Sequence, residues 1–288
     1  MKIGVTLFAT DRTLPPARIA REVEARGLDS LFLPEHSHIP TSRRTTWPGS
    51  RPGQEDPLPD YYWHLHDQIV ALSMAGAVTE QITLGTAVTL LPQHDPIWLA
   101  KQVASLDHLT NGRVALGIGY GWNVEQGESH GVAYTGRRQR SEECISIMRT
   151  LWNDEISEYS GTTLSLKPSL AYPKPAQSGG PPLLIGGMGR RTYDAIARLA
   201  DGWMPITGRG SLKGRIEPLR DACMRQGRDP NDLRIYIMGA SEEPEDLANL
   251  HREGVEHACL TIWSEDSNEI LQRLDHFAKV AAQAREKF

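Results

Sequence analysis

Eight short apolar runs, separated by longer stretches, constrain the fold of this 288-residue chain more than any other feature. The runs have the composition of buried strands and lie at residues 2–8, 30–34, 82–91, 113–119, 182–187, 202–206, 234–239 and 257–263. Helical spacing of apolar residues appears between them at 15–26, 96–109, 137–152 and 266–286. This alternation predicts an α/β fold, a single (β/α)8 TIM barrel over residues 1–288. A doubly wound open sheet would alternate in the same way, so it stays an alternative.

Two segments exceed what a minimal barrel needs. Residues 39–63, after the second strand, are rich in Pro, Gly and Arg and carry two tryptophans and two tyrosines. We expect this insertion to be an ordered, lid-like loop, because long loops without periodicity are commonly functional. Residues 154–181, before the fifth strand, form the second insertion, with a short hairpin expected around Gly161.

Composition narrows the class of partner. The net charge is −5, with 31 basic and 36 acidic residues, so neither nucleic acid nor an anionic membrane is an expected partner. Three scattered cysteines without a C-x-x-C motif fit a reducing compartment. No apolar stretch is long enough to span a membrane, and the N-terminal run is too short for a signal peptide. We therefore expect a cytoplasmic protein that acts on a small molecule.

Active sites of TIM barrels lie at the carboxyl ends of the strands. In this chain the second strand is followed by Glu35, His36 and His38. A histidine beside a carboxylate suits proton transfer, because imidazole titrates near neutrality. A plain polar turn is an equally good interpretation of the pair. The H-x-H spacing of residues 36–38 and 64–66 is also a metal pattern, but the last four strands end without histidine, so we expect no metal.

The fourth strand ends in alternating glycines, Gly117, Gly119 and Gly121. Such a surface lets a flat group lie against the backbone. Barrel curvature is the alternative reason for them. A dinucleotide-binding fingerprint is excluded, because the third glycine comes one residue too early and no helix follows at once.

The most unusual turn joins the fifth strand to a helix that begins near residue 190. It reads Gly186-Gly187-Met188-Gly189-Arg190-Arg191. Free N–H groups at a helix N-terminus bind phosphate, and arginine adds charge-assisted contacts. We therefore predict a phosphate cradle, with a solvated glycine-rich turn as the alternative.

These motifs together resemble the luciferase-like monooxygenase superfamily, and more closely its actinobacterial branch of F420-dependent oxidoreductases. The resemblance rests on three segments within residues 1–206. They read LPEHSHIPTSRRT, LGTAVTLLPQHDPIWLAKQVASLDHLTNGRVALGIGYGWN and LLIGGMGRRTYDAIARLADGWMP.

The resemblance implies roles for the residues singled out above. The cofactor ring would lie across the barrel mouth, against a non-prolyl cis peptide at Ala87-Val88 and beside the strand-four glycines. The turn at 186–191 would take the cofactor phosphate, and His36 would be the base or hydrogen-bond partner. Related sugar-phosphate dehydrogenases carry a glutamate where this chain has Trp122, so their proton donor does not transfer. Trp122 and His38 are instead expected in a pocket for an apolar or aromatic substrate.

Coenzyme F420 is the expected cofactor and FMN the alternative. F420 adds a negatively charged tail. Three arginine clusters could bind this tail: Arg43-Arg44, the group Arg137, Arg138 and Arg140, and Arg190-Arg191. The resemblance also implies a homodimer and an F420 or flavin reductase as electron donor. An FMN-dependent monooxygenase and a non-catalytic F420-binding protein remain alternative functions.

Overall fold

A computed structural model describes residues 1–50, 58–206 and 212–288. Its strands are β1 Lys2–Leu7, β2 Ser30–Leu33, β3 Thr83–Leu90, β4 Val114–Gly119, β5 Ser157–Ser160, β6 Ser165–Ser169, β7 Leu183–Gly186, β8 Gly202–Met204, β9 Arg234–Met238 and β10 His257–Ile262. Its α-helices are α1 Pro16–Ala25, α2 Gln68–Gly76, α3 Pro96–Leu109, α4 Val124–Ser129, α5 Arg137–Asn153, α6 Arg190–Leu199, α7 Lys213–Arg225, α8 Pro244–Arg252 and α9 Ser267–Arg285. Short 3-10 turns cover Asp60–Trp63, Leu91–Gln93 and Pro230–Asp232.

Eight of the strands form a closed parallel barrel in the order β1-β10-β9-β8-β7-β4-β3-β2. Strand β1 pairs with β10 on one side and with β2 on the other, so no edge is left open. The predicted TIM barrel is confirmed, and the open doubly wound sheet is excluded. Each predicted apolar run contains one barrel strand.

Local signals explain where the predicted helices begin and end. The Asp95 carboxylate accepts hydrogen bonds from the N–H groups of the first turn of α3. That helix is followed by Asn111 and Gly112, both at positive φ. The structure adds α2, α4, α7 and α8 to the predicted helices. Of these, α2 and α4 begin after the side-chain caps Asp67 and Asn123.

The second insertion contains the expected hairpin. Strands β5 and β6 pair antiparallel on either side of Gly161. The carboxylate of Glu143, on α5, accepts N–H groups from residues 162–164 of the turn. The hairpin is thereby tied to the outer helical layer.

The barrel interior is filled by side chains, and one strand interrupts its regular pairing. The interior cluster comprises Phe32, Ala115, Leu184, Met204, Tyr236, Met238 and Cys259, with Ala87 and Val88 packed against it. The register of β3 against β4 shifts between Thr86 and Thr89. This bulge brings residues 87–88 to the partly exposed end of the barrel. All three cysteines are free and buried, and none of the described helices is long and apolar enough to cross a membrane.

Candidate active site

A cluster of rings covers the carboxyl end of the barrel. Its members follow different strands or belong to the lid-like insertion, and His36 is the buried one. The ring of His36 lies 5.1 Å from that of Tyr62 and 5.8 Å from that of Trp122, measured between centroids. We call this set the mouth cluster: Phe8, His36, Trp47, Tyr61, Tyr62, Trp122 and Trp263. The mouth cluster forms an apolar and aromatic wall at this end of the barrel.

His36 is 8% exposed, and its ring makes one hydrogen bond within the described part of the chain, between Nδ1 and Oε1 of Gln126 at 2.7 Å. Burial lowers the pKa of His36 below its ordinary value, although the Gln126 bond and the Glu35 charge oppose this. The imidazole is therefore neutral at pH 7. A neutral imidazole can accept a proton from a hydroxyl group.

Glu35 does not pair with His36, although the two are adjacent in sequence. Its carboxylate accepts the N–H of Leu90 at 2.5 Å and contacts Nε2 of His94 at 2.8 Å. Burial alone would lower the pKa of His94, but the bond to Glu35 and its charge raise it above the ordinary value. Glu35 thus fixes the end of β3 and acts on His36 through its charge.

The β3 bulge carries the cis peptide that the resemblance implied, at Ala87-Val88. Its fit depends on Gly119, where a Cβ would lie 2.6 Å from Cγ2 of Val88. At Gly117 a Cβ would lie 2.2 Å from the carbonyl oxygen of Thr86. These two glycines are explained by packing against β3, and Gly121 by its positive φ of 74°.

The turn before α6 presents backbone N–H groups to solvent. Gly187 and Gly189 have φ values of 94° and 96°, in the left-handed region where a side chain is strained. No side chain caps α6, and no acceptor within the described ranges bonds the N–H groups of residues 188–191. Gly187 and Gly189 leave open space where a Cβ would stand, so the backbone of the predicted phosphate cradle is accessible to an anion.

The arginines near this turn differ in how free they are. The Arg190 side chain is 87% exposed, and its ion pair with Asp194 is long, at 3.9 Å. Arg191 is also exposed. Arg138 lies 4.2 Å from the centre of the Tyr120 ring and 3.2 Å from the hydroxyl of Thr192, in the first turn of α6. Its charge is therefore next to the cradle.

Three other arginines of the predicted clusters donate hydrogen bonds to backbone carbonyls of the protein itself. Arg140 donates to two backbone carbonyls beyond β3. Arg137 donates to the carbonyl of Tyr134 and lies over its ring. Arg43, on the lid-like insertion, lies 5.7 Å from the centre of the Trp122 ring and donates to the carbonyl of Thr45.

The described part of the lid-like insertion is tied to α4 by Glu125. Its carboxylate accepts the N–H of Arg44 at 2.8 Å and the hydroxyl of Thr45 at 2.6 Å. The Thr45 hydroxyl, followed by the Arg44 amide, lowers the pKa of Glu125 to about 2. Trp47 donates its indole N–H to the Tyr62 hydroxyl at 2.9 Å, which connects the insertion to the mouth cluster. Residues 51–57 of the predicted lid lie outside the described residues.

The other histidines of the predicted H-x-H pairs contact different residues and not one common point. His38 contacts Ser37 and lies 5.5 Å from the ring of His130. His64 pairs with Asp11 at 2.9 Å. Over residues 1–50, 58–206 and 212–288, no three histidine, cysteine or carboxylate side chains are grouped as metal ligands.

Sequence reasoning missed Gln126 and Tyr62 as parts of this site, and it did not predict the contact of Glu125 with the insertion. Gln126 and Glu125 lie in α4, a helix of only six residues. The sequence feature that indicates where this helix begins is its N-cap residue, Asn123. Tyr62 lies in the insertion, where its aromatic character predicted order and not a position beside His36. Contacts over long sequence separations place all three.

The sequence matches a known protein family. The sequence profile of the luciferase-like monooxygenase family matches residues 15–246, and the chain belongs to this family. An uncharacterised protein of Mycobacterium tuberculosis is 38% identical over 256 residues, 88% of this chain and 89% of the relative.

Two solved structures share the fold at low sequence identity. The monooxygenase RslO1 from Streptomyces bottropensis superimposes with a TM-score of 0.77 at 18% identity, covering 98% of this chain and 99% of that chain. An F420-dependent secondary alcohol dehydrogenase in complex with an F420-acetone adduct gives a TM-score of 0.75 at 16% identity, covering 99% of each chain. Proteins that share this fold thus include an F420-dependent secondary alcohol dehydrogenase and a monooxygenase.

Proposed function

We propose that this protein is an F420-dependent oxidoreductase that transfers a hydride between the deazaflavin and an organic substrate with an apolar or aromatic body. The observation that carries the proposal is His36, a buried, neutral imidazole between Tyr62 and Trp122. The related fold of an F420-dependent secondary alcohol dehydrogenase supports an alcohol or ketone as the reacting group.

The residues of the barrel mouth fit a deazaflavin or flavin phosphate. The N–H groups of residues 188–191 would hold the phosphate, with Arg138 and Arg190 adding positive charge. The bulge at Ala87-Val88 and the backbone of Gly119 would support the ring. When bound, the deazaflavin would accept or supply the hydride.

The protein's own part in the chemistry is to orient the substrate and move a proton. In the oxidative direction, the substrate carbon loses a hydride and its hydroxyl proton passes to Nε2 of His36, which leaves a carbonyl group. In the reverse direction, the imidazolium returns that proton to the carbonyl oxygen. Tyr62 and Trp122 exclude water from the reacting atoms.

The first test separates the cofactor from the alternative. The apo-protein is titrated with oxidised F420 and, separately, with FMN, and cofactor fluorescence is followed. We expect F420 to bind and FMN not to compete with it. Binding of FMN alone would contradict the proposal and favour a flavin monooxygenase served by a reductase.

Gly189→Ala should weaken F420 binding about tenfold or more, because a Cβ is strained at that φ. Gly214→Ala, at an exposed helical position, is the matched control.

The second test addresses turnover. His36→Ala should lower kcat by roughly 10²- to 10⁴-fold with a panel of alcohols and ketones, because the proton acceptor is lost. Affinity for F420 should be unchanged. His108→Ala, an exposed histidine on α3, should behave as the wild type. Retained turnover in His36→Ala would remove the proposed base, and no turnover in the wild type would favour an F420-binding protein.

A further inference from the structure

Gln126 is built rigidly into the wall beside His36. It has no exposed surface, and its backbone N–H is held at 3.1 Å by the carbonyl oxygen of the Asn123 side chain. Its amide oxygen lies 2.7 Å from Nδ1 of His36, across a separation of 90 residues. A buried amide with a fixed backbone can hold the imidazole in one orientation.

The other contacts of Gln126 decide which way its amide faces. Its amide nitrogen lies 3.2 Å from the amide oxygen of Gln93 and 3.4 Å from the hydroxyl of Ser37. Reversing this amide alone would bring two amide oxygens together at 3.2 Å. An amide nitrogen only donates, so the observed arrangement directs the Gln126 oxygen toward His36. With the Gln126 amide in this orientation, neutral His36 donates from Nδ1 and carries its proton there.

The second ring nitrogen of His36 is left for the substrate. None of the hydrogen bonds among the described residues uses Nε2, and this atom is not enclosed by protein. The titratable or charged groups around the ring are Glu35, His38, Tyr62 and, across Trp122, Arg43. Glu35 contacts His94, and His38 contacts Ser37, so neither of them holds Nε2.

We propose that Gln126 is a positioning residue that holds His36 as the Nδ1–H tautomer, with Nε2 as the proton-accepting atom at the barrel mouth. An uncharged amide orients the ring without the stabilisation that a carboxylate would give to the imidazolium. The tautomer is a property of the apo-protein, whereas its catalytic meaning rests on the proposed function.

The tautomer is tested in the apo-protein by ¹⁵N NMR of labelled histidine, with His36 assigned through His36→Ala. We expect the wild type to carry its proton on Nδ1. Gln126→Leu should give a mixture of tautomers, and Gln126→Glu should restore Nδ1–H, because a carboxylate oxygen also accepts. Gln272→Leu, an exposed glutamine on α9, should leave His36 unchanged. A proton on Nε2 in the wild type, or an unchanged tautomer in Gln126→Leu, would overturn the proposal.

Kinetics give a second readout. Gln126→Leu should lower kcat on the order of tenfold or more, with F420 affinity unchanged. Gln126→Glu should recover turnover at high pH and move the acidic limb of the pH profile upward, because the added charge favours the imidazolium. A wild-type pH profile in both variants would refute the positioning role. If the Nδ1–H tautomer is found but no alcohol or ketone reacts, the positioning of His36 stands and the proposed function fails.

Discussion

At the scale of single residues, His257 shows how burial makes stability depend on pH. Its Nε2 lies 2.6 Å from the Ser30 hydroxyl, its Nδ1 has no hydrogen-bond partner among the described residues, and the residue is fully buried. Burial, with the charges of Lys2 and Arg234, lowers the pKa of His257 to about 3. In the pH range where histidine in the unfolded chain takes up a proton, this ring therefore stays neutral in the folded protein.

The sign of the effect follows from linkage. Because the unfolded chain binds a proton near pH 6.5 and the folded chain does not, the free energy of unfolding falls as pH drops below 6.5. For this residue the expected loss between pH 7 and pH 5 is about 2 kcal/mol. His257→Gln should remove that part of the pH dependence in urea unfolding, and His108→Gln should not. Parallel pH curves for the wild type and His257→Gln would show that His257 is not the group responsible.

At the scale of elements, Glu125 on α4 holds residues 44–45 of the lid-like insertion in place. The Thr45 hydroxyl and the Arg44 amide lower the pKa of this carboxyl, so the contact is stabilised above the ordinary glutamate pKa and weakens as pH falls toward 2. Glu125→Gln should accelerate hydrogen exchange in residues 43–47 at neutral pH, because the charge-assisted bonds are lost. Glu128→Gln, exposed on the same helix, is the matched control. Equal exchange in both variants would mean that other contacts hold the insertion.

At the scale of the whole molecule, we propose that two copies associate through α2 and α3. These adjacent helices expose Val70, Met74 and Trp98, with 59%, 48% and 69% of their surface accessible. Burying such apolar side chains against a second copy is favourable. We expect a dimer in light-scattering chromatography and a monomer after Trp98→Glu. Met224→Glu, at an exposed apolar position on α7, should leave the dimer intact, and a monomeric wild type would contradict the proposal.

Much of the architecture follows from local patterns. Strand and helix periodicity predicted every barrel strand and the bounds of α1, α3, α5 and α9 to within a few residues. The glycines at 187 and 189 predicted the turn before α6, because the need for positive φ is a property of single residues. The position of His36 at the barrel mouth followed from its place just after β2.

Only the tertiary structure decided which of these residues meet. Sequence adjacency suggested a Glu35–His36 pair, but successive residues after a strand point in different directions, and Glu35 reaches His94 while His36 reaches Gln126. Barrel closure, too, depends on β1 pairing with β10 across the whole chain, which no local pattern encodes. The sequence by itself thus determined the elements and the chemical groups at their ends, because those depend on neighbours a few residues apart. The partners of each group were decided by packing between segments that lie from tens to hundreds of residues apart in the chain.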